Sequence, residues 1–171
     1  MKKTALIRQF EKDFMAMRKE LGFKVTLEEL DSIFFLRDFI SKENYVSGKL
    51  SRQVCSRIVD TYMAWVNYLH SLLVPNPGYL INVNESDAFS QKEKKNMAKL
   101  VSRIMTHAST NGLVGLTKER DKEAEFIDKS VSLWNKSVKT ELVAIMKKVN
   151  KKWSEDSEIR ALPHFDFDFE E

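Results

Sequence analysis

LSRQVCSRIVDTYMAWVNYLHSLLV, residues 50–74, leads into a segment, Thr61 to Asn84, that contains no Asp, Glu, Lys or Arg. Placed on a helix, Leu50, Val54, Ile58, Trp65, Leu69 and Leu72 form one stripe, while Val59, Tyr62, Val66 and Leu73 widen the apolar arc to more than half the circumference. A helix this apolar needs neighbours on several sides. The stretch therefore predicts the central element of an all-α bundle, and the flanking sequence supplies candidates for the other rods.

Before it, Leu6, Phe10, Phe14, Met17 and Leu21 recur at helical spacing up to Gly22, a C-terminal stop. Thr26 with Glu29 makes a capping box, opening a second helix whose apolar set runs from Leu27 to Ile40. Asn44 to Gly48 turns the chain into the central helix. After it, Val74-Pro75-Asn76-Pro77-Gly78 breaks the helix, because proline removes a backbone donor and restricts the residue before it. Residues 79–90 read as irregular or extended.

Ser90 with Glu93 repeats the capping box, and Met97, Leu100, Val101, Ile104, Met105 and Ala108 share one face of the helix that follows, which the pair Asn111-Gly112 is expected to end. Thr117 is the expected N-cap of a last helix reaching Trp153, with Ile127, Val131, Trp134, Val138, Leu142, Ile145, Val149 and Trp153 on its stripe. At 1.5 Å per residue it would reach about 54 Å, so it either breaks or projects, and a projecting apolar end points to a homo-oligomer through this helix. The expectation is a bundle of about five helices, a single helical domain over residues 1–153, with the central helix between the second and the last. A disordered acidic-aromatic tail over residues 154–171 follows.

Composition bounds the chemistry. The 171 residues are 43% hydrophobic and 11% aromatic, enough for a full core without disulfide or metal staples. The single Cys55 excludes an intramolecular disulfide and, as a core thiol, points to the cytoplasm or another reducing compartment. Arg8 and Glu11 interrupt the opening MKKTALI before a signal-peptide apolar core can form, and the apolar run Tyr62 to Val74 is too short to span a membrane. The sequons at Asn84 and Asn135 then carry no meaning. His70, His107 and His164 have no second ligand at helical spacing, so neither metal nor cofactor is expected.

Charge is distributed unevenly. Residues 1–91 carry 12 Lys+Arg against 11 Asp+Glu, residues 92–153 carry 15 against 7, and residues 154–171 carry 1 against 7. Lys92, Lys95, Lys99 and Arg103 lie opposite the apolar face of their helix, as Lys118, Lys122, Lys129, Lys136, Lys147 and Lys151 do on the last. Such faces are either ordinary solvated surface or a nucleic-acid-binding surface. The lysine bias favours phosphate contacts over base edges, hence weak sequence preference. In the tail, Phe165, Phe167 and Phe169 alternate with Asp166 and Asp168, so an extended chain shows rings on one side and carboxylates on the other. This fits a protein partner whose groove is apolar inside and basic at its rim, or the chain's own basic helices.

The leading expectation is thus a non-catalytic accessory or adaptor protein, with a partner bound through residues 165–169 and nucleic acid held on the basic faces. One alternative is a homo-oligomeric structural protein. Another is an enzyme with its site near residues 75–90, for which Glu85, Asp87 and His107 are the available acid–base groups. Gly112-Leu113-Val114-Gly115 resembles the backbone clamp of KH domains, which would imply a sheet that the sequence does not contain. The run LVSRIMTHASTNGLVGLTKERDKE, residues 100–123, is similar to the recognition helix and wing of winged-helix regulators, which implies a DNA-binding regulator. That resemblance covers under a fifth of the chain, and no strands for a wing are evident.

Overall fold

The computed structural model describes residues 2–155, and every regular element among them is helical. In chain order these are α1 (Lys2–Leu21), α2 (Leu27–Phe34), α3 (Leu36–Glu43), α4 (Leu50–Leu73), α5 (Leu80–Asp87), α6 (Gln91–Thr117), α7 (Arg120–Leu133) and α8 (Lys139–Glu155). A π-helical turn, Trp134–Val138, joins α7 to α8 without a break. The tail residues Phe165, Asp166, Phe167, Asp168 and Phe169 lie outside the described residues.

The central position of α4 follows from its apolar arc. It packs most extensively on α6 and also meets α1, α2, α3, α5 and α7, with Val54, Ile58, Tyr62, Leu69 and Leu72 buried along it. Its expected neighbours were the second and last helices. The larger partner is α6, whose Met97, Leu100, Ile104 and Ala108 are buried as their spacing predicts, while Met105 stays 42% exposed. Tyr62 of α4 meets four other elements. Its ring meets Phe34, His107 and Trp134 edge-on, and its hydroxyl donates to the Ser130 carbonyl at 2.7 Å. Cys55 is fully buried, and burial pushes its thiol up to about 12.

Both capping boxes form as expected, and Gly22 takes a left-handed conformation, φ 72°, at the end of α1. Four boundaries differ from the sequence reading. The second helix divides at Phe35, which is left-handed at φ 52°, and the break is compensated from two sides. Arg57 of α4 donates to the Phe34 carbonyl at 2.7 Å, and Asp31 accepts the Arg37 backbone N–H at 2.8 Å. Residues 80–87 form a helix instead of an irregular segment. Asn76 accepts from Gly78 N–H to close the turn, and Ser86 donates to the otherwise unpaired Leu72 carbonyl at the end of α4.

The third difference is that α6 continues through Asn111-Gly112 to Thr117, and Lys118, left-handed at φ 58°, ends it. Buried Val114 and Asn111 anchor this extension, and Gly115 leaves room for Arg52, whose Nη2 would lie 3.0 Å from a Cβ there. Gly112, the expected stop, has nothing within 4 Å of where a Cβ would stand and is carried inside the helix, whereas Gly115 lets Arg52 of α4 approach α6. Fourth, the last helix starts at Arg120 with Glu119, not Thr117, at the N-cap, and no side chain bonds there. The long helix does not break, and part of its apolar surface is covered while Val143, Met146 and Trp153 stay exposed. Leu142, Ile145 and Val149 are buried, and α8 lies antiparallel to α6, as the pairs Arg103–Glu141 and Lys148–Glu93 show. Trp153 donates its indole N–H to Glu85 at 2.9 Å.

Candidate nucleic-acid interface

The ten cations singled out in the sequence are exposed, yet they do not share one surface. Arg103, Lys122, Lys129 and Lys136 line a groove between α6 and α7 of about 740 Å³. Lys99 and Arg103 line a second groove, between α6 and α8, of about 650 Å³. Lys118 belongs to a cavity beside the N-termini of α4 and α7 with Lys49, Arg52, Arg120 and Glu123, and Lys147 lies near Trp65 and Trp134. Lys92 and Lys95 stay on the outer face of α6, and Lys151 sits 3.6 Å from Glu155 on α8.

The α6–α7 groove is built by periodicity. Lys122, Lys129 and Lys136 are seven residues apart, so they recur on one face at intervals of about 10.5 Å. That is about three nucleotide steps along one strand of B-form DNA. From the other wall come Ser102, Arg103, Thr106 and Thr110. Thr110 donates to the backbone carbonyl of His107, whereas Ser102, Thr106 and Ser132 keep their hydroxyls free among the described residues. Lys136 likewise has no acidic neighbour within 4 Å there. Three of the cations are partly neutralised, since Arg103 bonds both oxygens of Glu141 at 2.6 and 2.7 Å, Lys122 pairs with Glu119 and Lys129 with Glu125. The hydrogen bond from its lysine holds each of Glu119 and Glu125 below the ordinary carboxylate range.

Beneath these charges the floor is fixed and neutral. His107 stacks on Phe126 with ring centroids 4.5 Å apart and planes 8° from parallel, and its Nε2 is 2.7 Å from Ser130 Oγ. Ser130 gives its one hydrogen to the Phe126 carbonyl, so its oxygen accepts from His107 Nε2–H. Burial, with a smaller contribution from Lys129, lowers His107 to about 4, which keeps the ring uncharged at neutral pH. Phe126 is buried, so the groove offers no open aromatic face on which a base could stack.

The acid–base groups considered for an enzyme are tied into separate structures. Glu85, 9% exposed, accepts from Tyr68 and Trp153 at the end of α4, and Asp87 is exposed, while His107 is committed to Ser130 between α6 and α7. Among the described residues no three His, Cys, Asp or Glu side chains could hold a metal ion, and no helix is long and apolar enough to cross a membrane. Residues 100–123, which resemble a recognition helix and wing, form the end of α6 and the start of α7, with no strand among them. Sequence reasoning missed Lys49, Arg52, Arg120 and Lys148. Arg52 carried no signal because it sits in the first turn of the apolar central helix; its bond to the Asn111 carbonyl, its pair with Glu123 and its contact at Gly115 reveal it. Comparison of the chain with protein-family models, curated proteins and solved structures finds no match.

Proposed function

We propose that this protein is a non-catalytic binding module whose α6–α7 groove holds the phosphate backbone of nucleic acid. The observation that supports this reading is the recurrence of Lys122, Lys129 and Lys136 along one wall, facing Arg103 and the unbonded hydroxyls of Ser102 and Thr106 across the groove. Lysines and hydroxyls suit point contacts to phosphate, and the lack of an open aromatic or of an arginine fork aimed at base edges argues for weak sequence preference. The ion pairs to Glu119, Glu125 and Glu141 moderate the affinity, because each lysine or arginine is shared between its carboxylate and the phosphate.

Fluorescence anisotropy with labelled single-stranded and duplex oligonucleotides across a salt series tests the proposal. Log Kd should vary linearly with log salt concentration, with a slope set by about three to four phosphate contacts. Changing Lys122, Lys129 and Lys136 together to Glu should remove most of that slope for unrelated sequences alike. The same change at Lys92, Lys95 and Lys99 should act weakly. Equal loss from both triple variants would place binding on the general charge of residues 92–153, and no binding by the parent chain at low salt would end the proposal.

A further inference from the structure

The groove between α6 and α8 has a different character from the one just described. Its floor is apolar, formed by Phe89, Met97, Ala144 and Ile145, and Lys99 lies on its rim. An ion pair closes each end: Lys148 to Glu93 at 2.6 Å and Arg103 to Glu141 at 2.6 Å. Lys148 also lies over the Phe89 ring, 5.5 Å from its centroid. The Lys148 hydrogen bond and the Ser90 capping bonds lower the Glu93 carboxyl to about 2. Ten residues of α6 and seven of α8 separate the two ion pairs, a length of about 10 to 15 Å.

We propose that Phe165, Phe167 and Phe169 of this same chain seat in the α6–α8 groove, with Asp166 and Asp168 turned to its lysine rim. Three observations lead there. The first is fit: rings at alternate positions of an extended chain are about 7 Å apart, so three of them cover about 13 Å, the length between the ion pairs. The second is charge. Residues 156–171 carry 6 Asp+Glu against 1 Arg, and the groove is lined by Lys99, Arg103 and Lys148 against Glu93 and Glu141. The third is reach. The nine residues 156–164 extend up to about 30 Å, whereas the groove runs back from Glu155 over about 21 Å of α8.

Another apolar patch lies within reach but fits less well. Tyr79, Leu80 and Ile81 are 64%, 60% and 60% exposed, near the end of α8 that Trp153 ties to α5. At α5, however, two carboxylates, Glu85 and Asp87, stand against a single cation, Lys94, which donates to Ser86. The α6–α8 groove joins an apolar floor to Lys99 and two ion-paired cations, and the groove of Trp65, Trp134, Leu142, Val143 and Met146 likewise has Lys139 and Lys147 on its rim. What selects the first is the match of its length, fixed by the ion pairs at its two ends, to three alternate rings. The two grooves share Ser102 and Arg103, but the inference does not depend on whether nucleic acid binds the other.

Methyl NMR on the full chain, comparing the parent with a Phe165→Ala, Phe167→Ala, Phe169→Ala variant, decides the matter. The Met97 and Ile145 methyl signals should carry a ring-current displacement that the variant loses, and Met17, buried on α1, should not move. The displacement should be independent of protein concentration. A variant whose Met97 and Ile145 signals coincide with the parent's would overturn the proposal. So would a displacement at Ile81 in their place, which would put the rings on α5. A displacement that grows with concentration would assign the rings to a second copy, and that too would overturn docking within one chain.

Discussion

His107 sits where a catalytic or metal-binding histidine would be sought, on a helix lining a basic groove, and its surroundings assign it a structural part. Its stack on Phe126 and its donation to Ser130 hold the ring in a part-buried position, and burial there disfavours the charged form. Lowered to about 4 from 6.5, the folded imidazole binds its proton less readily than the unfolded one. The stability that it confers is therefore complete above pH 6.5 and is lost as the pH falls through about 4. An NMR titration of the ring protons should show a midpoint near pH 4, and a midpoint near 6.5 would mean that the ring is open to water. Trp153 makes the opposite case, a residue read from sequence as a sticky end that the structure commits to a hydrogen bond. Trp153→Phe would leave Glu85 Oε1 without its donor in a site 9% exposed. Denaturant unfolding should then show a loss of about 1–3 kcal/mol. An unchanged midpoint would mean that Val149 alone holds the end of α8.

Among the elements, the break between α2 and α3 has the most to teach. The run Ile33-Phe34-Phe35-Leu36 is apolar at four consecutive positions, and no single helix can bury all of them on one side. Turning left-handed at Phe35 lets Phe34 and Leu36 both be buried, 0% and 1% exposed, at the cost of leaving Phe35 54% exposed. Adjacent phenylalanines should therefore respond in opposite ways. Phe34→Ala should destabilise by about 3–5 kcal/mol. Phe35→Gly, which relieves a positive φ, should raise stability by about 1 kcal/mol. Thermal unfolding of the two variants checks both, and destabilisation of similar size would show that the exposed ring has a packing role. The π turn at Trp134–Val138 is the second irregular element. The apolar stripe there advances by two successive steps of four, from Trp134 to Val138 to Leu142, and a wider turn absorbs the drift that a regular helix would accumulate. It also keeps Lys136 in the groove with Lys122 and Lys129.

For the molecule as a whole, periodicity carried the all-helical class, the central helix, both capping boxes and most of the buried faces. These follow from the chain alone because burial of an apolar face is a local pattern: residues three and four apart share a side whatever they pack against. Lys122, Lys129 and Lys136 were legible as one face for the same reason. Tertiary contacts settled the rest. Eight residues of α5 have no stripe and no cap of their own, and they are helical because Ser86 and Glu85 bond to α4 and α8. Asn111-Gly112 reads as a stop, yet the helix runs on through it because Val114 is buried and Arg52 is brought against Gly115 from α4. The division of one basic half into two unlike grooves, hydroxyl-lined between α6 and α7 and apolar-floored between α6 and α8, depends on how far apart three helices pack. Spacing along a chain reports which side of a helix a residue takes, but the neighbour across the gap is chosen by the fold.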